Sequence, residues 1–182
     1  MFNTLTTCKN ERIDKNPVRQ KGFSLIELLI VVLILGIISM IAIPNLLGAR
    51  RAANEAAAIA NTRMIFSSQS SYRVSAGGGN YGTFPQLQTA GLVDSSFGLL
   101  PATKSGYYFE MDVYPSTSTT QPKFDLRTRP TVHSFSNPLT GTGSRDYGVN
   151  EHGVIFQTTD DTPVTFDSTT RAAQGTAAPA GN

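Results

Sequence analysis

The sequence predicts an α+β fold: one long N-terminal helix, membrane-spanning in its first half and amphipathic in its second, packed on a small antiparallel β-sheet. Three observations carry this. Residues 23–43, FSLIELLIVVLILGIISMIAI, hold 17 apolar residues in 21. Ala49, Ala53, Ala56, Ala60 and Met64 then recur at three- and four-residue spacing, with Arg50, Arg51, Asn54, Glu55 and Arg63 on other faces. Beyond the run Gly77-Gly78-Gly79, apolar and polar residues alternate as in half-buried strands.

Residues 1–22 come first and have nothing to build a core from. Lys9, Arg12, Lys15, Arg19 and Lys21 face only Glu11 and Asp14, a net charge of +3, whereas all 182 residues total +2. The positive charge therefore sits ahead of the apolar run. With 15 Lys+Arg against 13 Asp+Glu overall, charge makes no case for a nucleic-acid partner. Cys8 is the sole cysteine, which excludes an intramolecular disulfide and a Cys-rich metal site.

As a helix, residues 23–43 span roughly 30 Å, the thickness of a bilayer core. Only Ser24, Glu27, Gly36 and Ser39 interrupt the run, while the mean hydropathy of the whole chain is −0.12. A domain of this size offers too little protein to surround such a helix, so the run is expected in the inner membrane. Five Lys/Arg precede it and Arg50, Arg51 and Arg63 follow, a bias that puts the N-terminus in the cytoplasm. The amphipathic half, residues 45–76, extends the same helix to about 50 residues, on the order of 75 Å. Small residues on its stripe permit close helix approach, and the stripe is expected to cover the sheet.

The glycine run ends the helix, and residues 85–93 form a short helix starting at Pro85. Phe109, Met111 and Val113 alternate with Glu110 and Asp112; Phe124, Leu126 and Thr128 alternate with Lys123, Asp125, Arg127 and Arg129. The loop 115–122 joins these as a hairpin. A second hairpin runs from Arg145–Val149 to Val154–Gln157, and one sheet face is expected to pack while the other stays wet. Val164 and Phe166 suggest a last strand. The globular head thus covers 77–167, and the Thr-, Ala- and Gly-rich residues 168–182 read as a flexible tail.

The junction Lys21-Gly22-Phe23-Ser24-Leu25-Ile26-Glu27 is the most informative segment. A secretory signal is cut beyond its apolar region; here the small boundary residue, Gly22, precedes it, so cleavage there leaves the hydrophobic helix on the mature chain. Glu27 is the second anomaly, since an acid inside an apolar span costs about 2.5–3.5 kcal/mol. Either it faces a partner, such as the α-ammonium that cleavage creates on Phe23 of its own or a neighbouring subunit, or it is a lone interfacial Glu that snorkels or protonates.

The segment K-G-F-S-L-I-E-L-L-I-V-V, Lys21 to Val32, resembles the class III signal of type IV prepilins and type II secretion pseudopilins, and Pro44 is common at its position in that family. The resemblance covers about residues 20–46. It implies cleavage between Gly22 and Phe23 by a prepilin peptidase, N-methylation of Phe23, and a role for Glu27 in docking into a growing filament. The implied partners are inner-membrane lipid, further copies of the chain in a helical filament, and a pilus assembly platform with its ATPase. Residues 1–22 are then a cytoplasmic leader that is removed. Gly36 and Pro44 have a physical reading of their own: Pro44 brings no N–H to the Met40 carbonyl and Gly36 weakens the helix, giving either a bend that eases subunit packing or an ordinary membrane-helix kink.

The remaining residues supply no catalytic constellation, and no enzyme or cofactor is expected. His133 and His152 lack ligand-spaced companions in sequence and read as strand-edge or turn residues, with no metal site. Gly77–Gly79 lacks the Lys-Ser/Thr of a phosphate cradle, and Asp160, Asp161 and Asp167 read as a solvated acidic stretch. Many pilins close a C-terminal loop by a disulfide; without one, this C-terminal region must be held by hairpins, subunit contacts or a metal. The functional expectation is a type IV pilus subunit, membrane-anchored and then extracellular. The rivals are a type II secretion pseudopilin, against which the absence of Trp counts, and a signal-anchored periplasmic binding module with an uncut N-terminus.

Overall fold

Among the described residues six strands pair in chain order, each antiparallel to the next, and the later turns of a long helix pack on them. The computed structural model describes residues 22–98, 101–134 and 136–181; of the expected leader, all but Gly22 lies outside these. The elements are α1 (Leu25–Ser75), α2 (Phe84–Thr89), a 3-10 turn (Ser95–Phe97), β1 (Ala102–Lys104), β2 (Tyr107–Tyr114), β3 (Lys123–Pro130), β4 (Asp146–Asn150), β5 (Ile155–Thr158) and β6 (Ala178–Pro179). The chain divides into two units, Met1–Ile41 and Ala42–Asn182.

In the first unit the described residues are helical from Leu25, and every residue from 23 to 41 is exposed. The Leu28 amide donates to the Ser24 carbonyl at 3.2 Å, closing the first turn. This helix is long and apolar enough to cross a membrane, and none of its most apolar stretch is buried within the chain.

In the second unit the helical residues Ala58, Thr62, Ile65 and Gln69 are wholly buried, at spacings of four, three and four. They meet Phe124, Leu126 and Thr128 of β3, Tyr107 and Phe109 of β2 and Tyr147 and Val149 of β4, which form one core. Two polar pairs fix the register of helix on sheet. The Thr62 and Thr128 hydroxyls lie 3.0 Å apart, and the Gln69 amide both donates to the Gly82 carbonyl (2.6 Å) and accepts from the Gly82 amide (2.9 Å). Each such pair satisfies groups whose burial alone would cost about 1–3 kcal/mol. Phe84 stacks on Phe97 with centroids 5.6 Å apart, and Phe97 meets Phe109 edge to face at 5.2 Å, which anchors the segment between α1 and β1.

The β2–β3 pairing, with Tyr114 opposite Lys123, brackets the 115–122 loop as expected, and β4–β5 form the second hairpin. The Gly153 amide closes that turn on the Asn150 carbonyl at φ +78°, a conformation that favours glycine. The helix expected over 85–93 is shorter. It begins at Phe84, where Gln86 accepts from the Thr83 amide (2.8 Å), and stops before Gly91, which adopts φ +70°.

Four expectations are corrected. Ala49, Ala53, Ala56 and Ala60 are exposed, so of the expected stripe Met64 alone packs, partly buried, against the core; the opposite face, centred on Ala58, Thr62 and Ile65, covers the sheet. The second sheet face is not wet throughout, because all five β4 residues are buried. The residues after β5 fold back across it: Val164 is fully buried, and a Cβ on Gly148 would meet its Cγ1 at 2.6 Å. Val164 and Phe166 make no strand; Phe166 forms a lone bridge to Ala173. Residues from 168 onward are therefore no free tail. Arg171 is buried, Ala178–Pro179 pairs with β5, and the Ala180 amide donates to the Ile155 carbonyl at 2.8 Å.

Candidate functional site

Gly22, Phe23 and Ser24 precede the first helical residue, and all three are exposed. Ser24 and Glu27 stand at the spacing of an N-cap residue and its N3 acid, and Glu27 lies in the first turn, where the helix dipole favours a negative charge. Among the described residues, no side-chain hydrogen bond or ion pair engages its carboxylate. Gly36 and Pro44 lie inside α1, which stays helical through both. Around Gly36 a Cβ would meet nothing within 4 Å, so its missing side chain leaves space on the helix surface.

The second unit adds polar structure that the sequence did not foretell. On the helix, Asn54 donates to the Thr142 carbonyl (3.0 Å), and Glu55 accepts from the Ser144 amide (2.8 Å) and hydroxyl (2.6 Å). These two residues, read as an outer polar face, tie the 131–145 loop to the helix.

On the far face of the sheet stand two charged clusters. In the first, Arg171 donates through Nε to Glu151 (2.7 Å), through Nη2 to Glu151 (2.8 Å) and the Phe124 carbonyl (3.1 Å), and pairs closely with Asp125. The Asn150 amide nitrogen donates to the Arg171 carbonyl at 2.9 Å. Burial pushes the Glu151 carboxyl up, but the hydrogen bonds from Arg171 outweigh it and hold the group below its ordinary range. The same partners push the Arg171 guanidinium up.

The second cluster is His133, Asp146 and Asp161, whose potential ligand atoms all lie within 4.8 Å of one another. Asp146 is fully buried and His133 nearly so, yet neither Asp146 oxygen and neither His133 ring nitrogen has a hydrogen-bond partner. Arg129 approaches only to 3.6 Å of each carboxylate. Burial therefore pushes the Asp146 carboxyl up to about 6, with Arg129 and His133 only partly opposing it. Sequence spacing hid this cluster, since its members come from three separate segments. Gly148 was the available signal, because a glycine inside a strand marks close approach of another chain segment.

The arrangement is an exposed apolar helix preceded by a short non-helical segment, joined to a head with a core of its own. Residues 18–43 match the prokaryotic N-terminal methylation motif. The chain is 38% identical over 61 residues to the type IV major pilin protein PilA of Myxococcus xanthus, 34% of this chain and 28% of that protein. It is 44% identical over 54 residues to the type IV wide pilus major component PilA4 of Thermus thermophilus, 30% of this chain and 41% of that one. It is also 28% identical over 67 residues to the type II secretion system core protein G of Pectobacterium carotovorum, covering 37% and 43%. Over these segments the chain is similar both to type IV pilins and to a type II secretion core protein. The matched segments span less than half the length of each of these relatives, and no solved structure matches the chain.

Proposed function

We propose that the chain is the structural subunit of a type IV pilus. Its leader is cut after Gly22 by a prepilin peptidase, Phe23 is N-methylated, and the apolar helix passes from the inner membrane, its N-terminus cytoplasmic, into the core of a helical filament. The observation that carries this reading is the helical stretch 25–41: apolar on every face, unburied by the chain itself, and bearing a single carboxylate, Glu27. Lipid covers such a surface before assembly, and the same helices of neighbouring subunits cover it afterwards. Glu27 then pairs with the α-amine of a neighbouring Phe23, which removes the cost of an acid in an apolar layer. The exposed stripe Ala49, Ala53, Ala56 and Ala60 lets a neighbouring helix approach closely. Gly36 and Pro44 act as points of bending when subunits leave lipid, and the assembly platform and its ATPase supply the force.

The similarity to a type II secretion core protein favours a second reading, a pseudopilin using the same anchor in a short periplasmic fibre. Replacing Glu27 by Ala tests the assembly role that both readings share. The expected outcome is membrane-inserted, folded subunit with fibre yield reduced at least tenfold in sheared surface fractions. Normal fibre yield from Glu27→Ala would contradict it and favour a signal-anchored binding module. Electron microscopy of the wild-type fraction separates long surface fibres from a short periplasmic piston.

A further inference from the structure

We infer that His133, Asp146 and Asp161 form a binding site for one divalent transition-metal cation of the zinc type, which staples the covering segment of the head to its sheet. The inference stands apart from the filament reading and rests on the head alone.

The three residues come from three places. His133 lies in the loop after β3, where its backbone bridges Gly143; Asp146 opens β4; Asp161 sits in the loop after β5 at φ +60°. That loop is shaped by its neighbour Asp160, which accepts from the Thr162 hydroxyl (2.5 Å) and the Thr176 hydroxyl (2.5 Å) and leaves the Asp161 carboxylate to face inward. His133 Nε2 is then 4.0 Å from Asp161 Oδ1. A tetrahedral zinc ion bound at about 2.0–2.2 Å sets its ligand atoms roughly 3.4 Å apart. The present separations exceed that by about an ångström, within the reach of a half-exposed loop aspartate.

The independent sign of a ligand is the set of orphaned atoms. Both oxygens of Asp146 and both ring nitrogens of His133 are buried without partners, four of the seven such side-chain atoms among the described residues; the others are Arg51 Nε, Arg129 Nε and the Tyr147 hydroxyl. The one nearby cation, Arg129, is a third exposed and reaches neither carboxylate at hydrogen-bond distance; its own Nε is orphaned too. Two carboxylates against one loosely placed guanidinium leave negative charge for a cation. The imidazole selects a borderline-soft metal over calcium or magnesium, which prefer all-oxygen shells. The cluster opens onto a surface cavity lined by Tyr108, Arg129, Val132, His133 and Asp161, which gives an ion a way in and leaves room for water as a fourth ligand. With no disulfide to close the C-terminal region, such an ion joins β4 to the loops on either side of it.

The test uses tag-free full chain in detergent, loaded with zinc chloride and freed of excess metal, with zinc per chain and thermal midpoint as readouts. One zinc per chain is expected, with a midpoint that rises on loading. Asp161→Ala, on an exposed loop, is expected to keep the near-ultraviolet circular dichroism of the metal-free parent, to bind zinc at least tenfold more weakly and to lose the thermal shift; His133→Gln does the same. His152→Gln leaves both readouts unchanged. No zinc retained by the parent chain would overturn the assignment. So would equal uptake by Asp161→Ala, loss of uptake in His152→Gln, or tighter binding of calcium than of zinc.

Discussion

The two units of this chain meet the same requirement, that apolar surface and polar groups be covered, in opposite ways. From residue 23 to 41 the chain buries nothing of itself and leaves its one carboxylate without an intramolecular partner among the described residues. From Ala58 onward it buries aromatic and aliphatic side chains between helix and sheet and ties its far face down with a buried arginine. The first unit leaves its apolar surface for something else to cover, whereas the second buries a core of its own. On the proposed function the difference separates the roles: changes in the first unit are expected to act on membrane residence and assembly, and changes in the second on folding of the head.

Loss of fibres from Glu27→Ala with an intact head is the largest effect on the assembly side. The counterpart in the head is Arg171→Ala. It leaves Asp125 and Glu151 without their cation under the covering segment, and breaking a buried pair from one side costs about 3–5 kcal/mol. The expected drop in thermal midpoint is roughly 10–20 °C, measured by circular dichroism, with membrane insertion unchanged. A drop of only a degree or two would mean that residues 168–181 contribute little and that the reading of the tail as a flexible end was nearer the truth.

A smaller effect sharpens the same point through pH. The Glu151 carboxyl is held below its ordinary range in the folded head. The folded state therefore binds fewer protons there than the unfolded state, and the stability this supplies is present above the ordinary glutamate value of about 4.3. It is lost as pH falls through the lower, folded value. Wild type should lose its advantage over Glu151→Gln below about pH 4.3. Parallel melting curves for the two proteins across that window would show that Arg171 does not stabilise the charged form.

What was legible in the sequence follows from how local each signal is. The apolar run and the two hairpins are written in adjacent residues, and α1 and β2 to β5 fall where periodicity placed them, whereas β1 and β6 were not foreseen. The choice of helix face was not so legible: alanines at 49, 53, 56 and 60 are as regular as the buried set, but Thr62 and Gln69 enter the core because Thr128 and Gly82 satisfy them. Composition alone does not mark a polar residue as buried. The covered far face of β4 was hidden for a related reason, since it depends on where residues 160–181 return. Arg171 looked like one charge in a polar tail, and His133, Asp146 and Asp161 looked unrelated, until the fold brought each group together.

The most direct measurement is intact and N-terminal peptide mass spectrometry on material sheared from the cell surface. The account predicts a chain beginning at N-methylated Phe23 and lacking residues 1–22. A chain that retains Met1 to Gly22 and occurs only in membranes would contradict it.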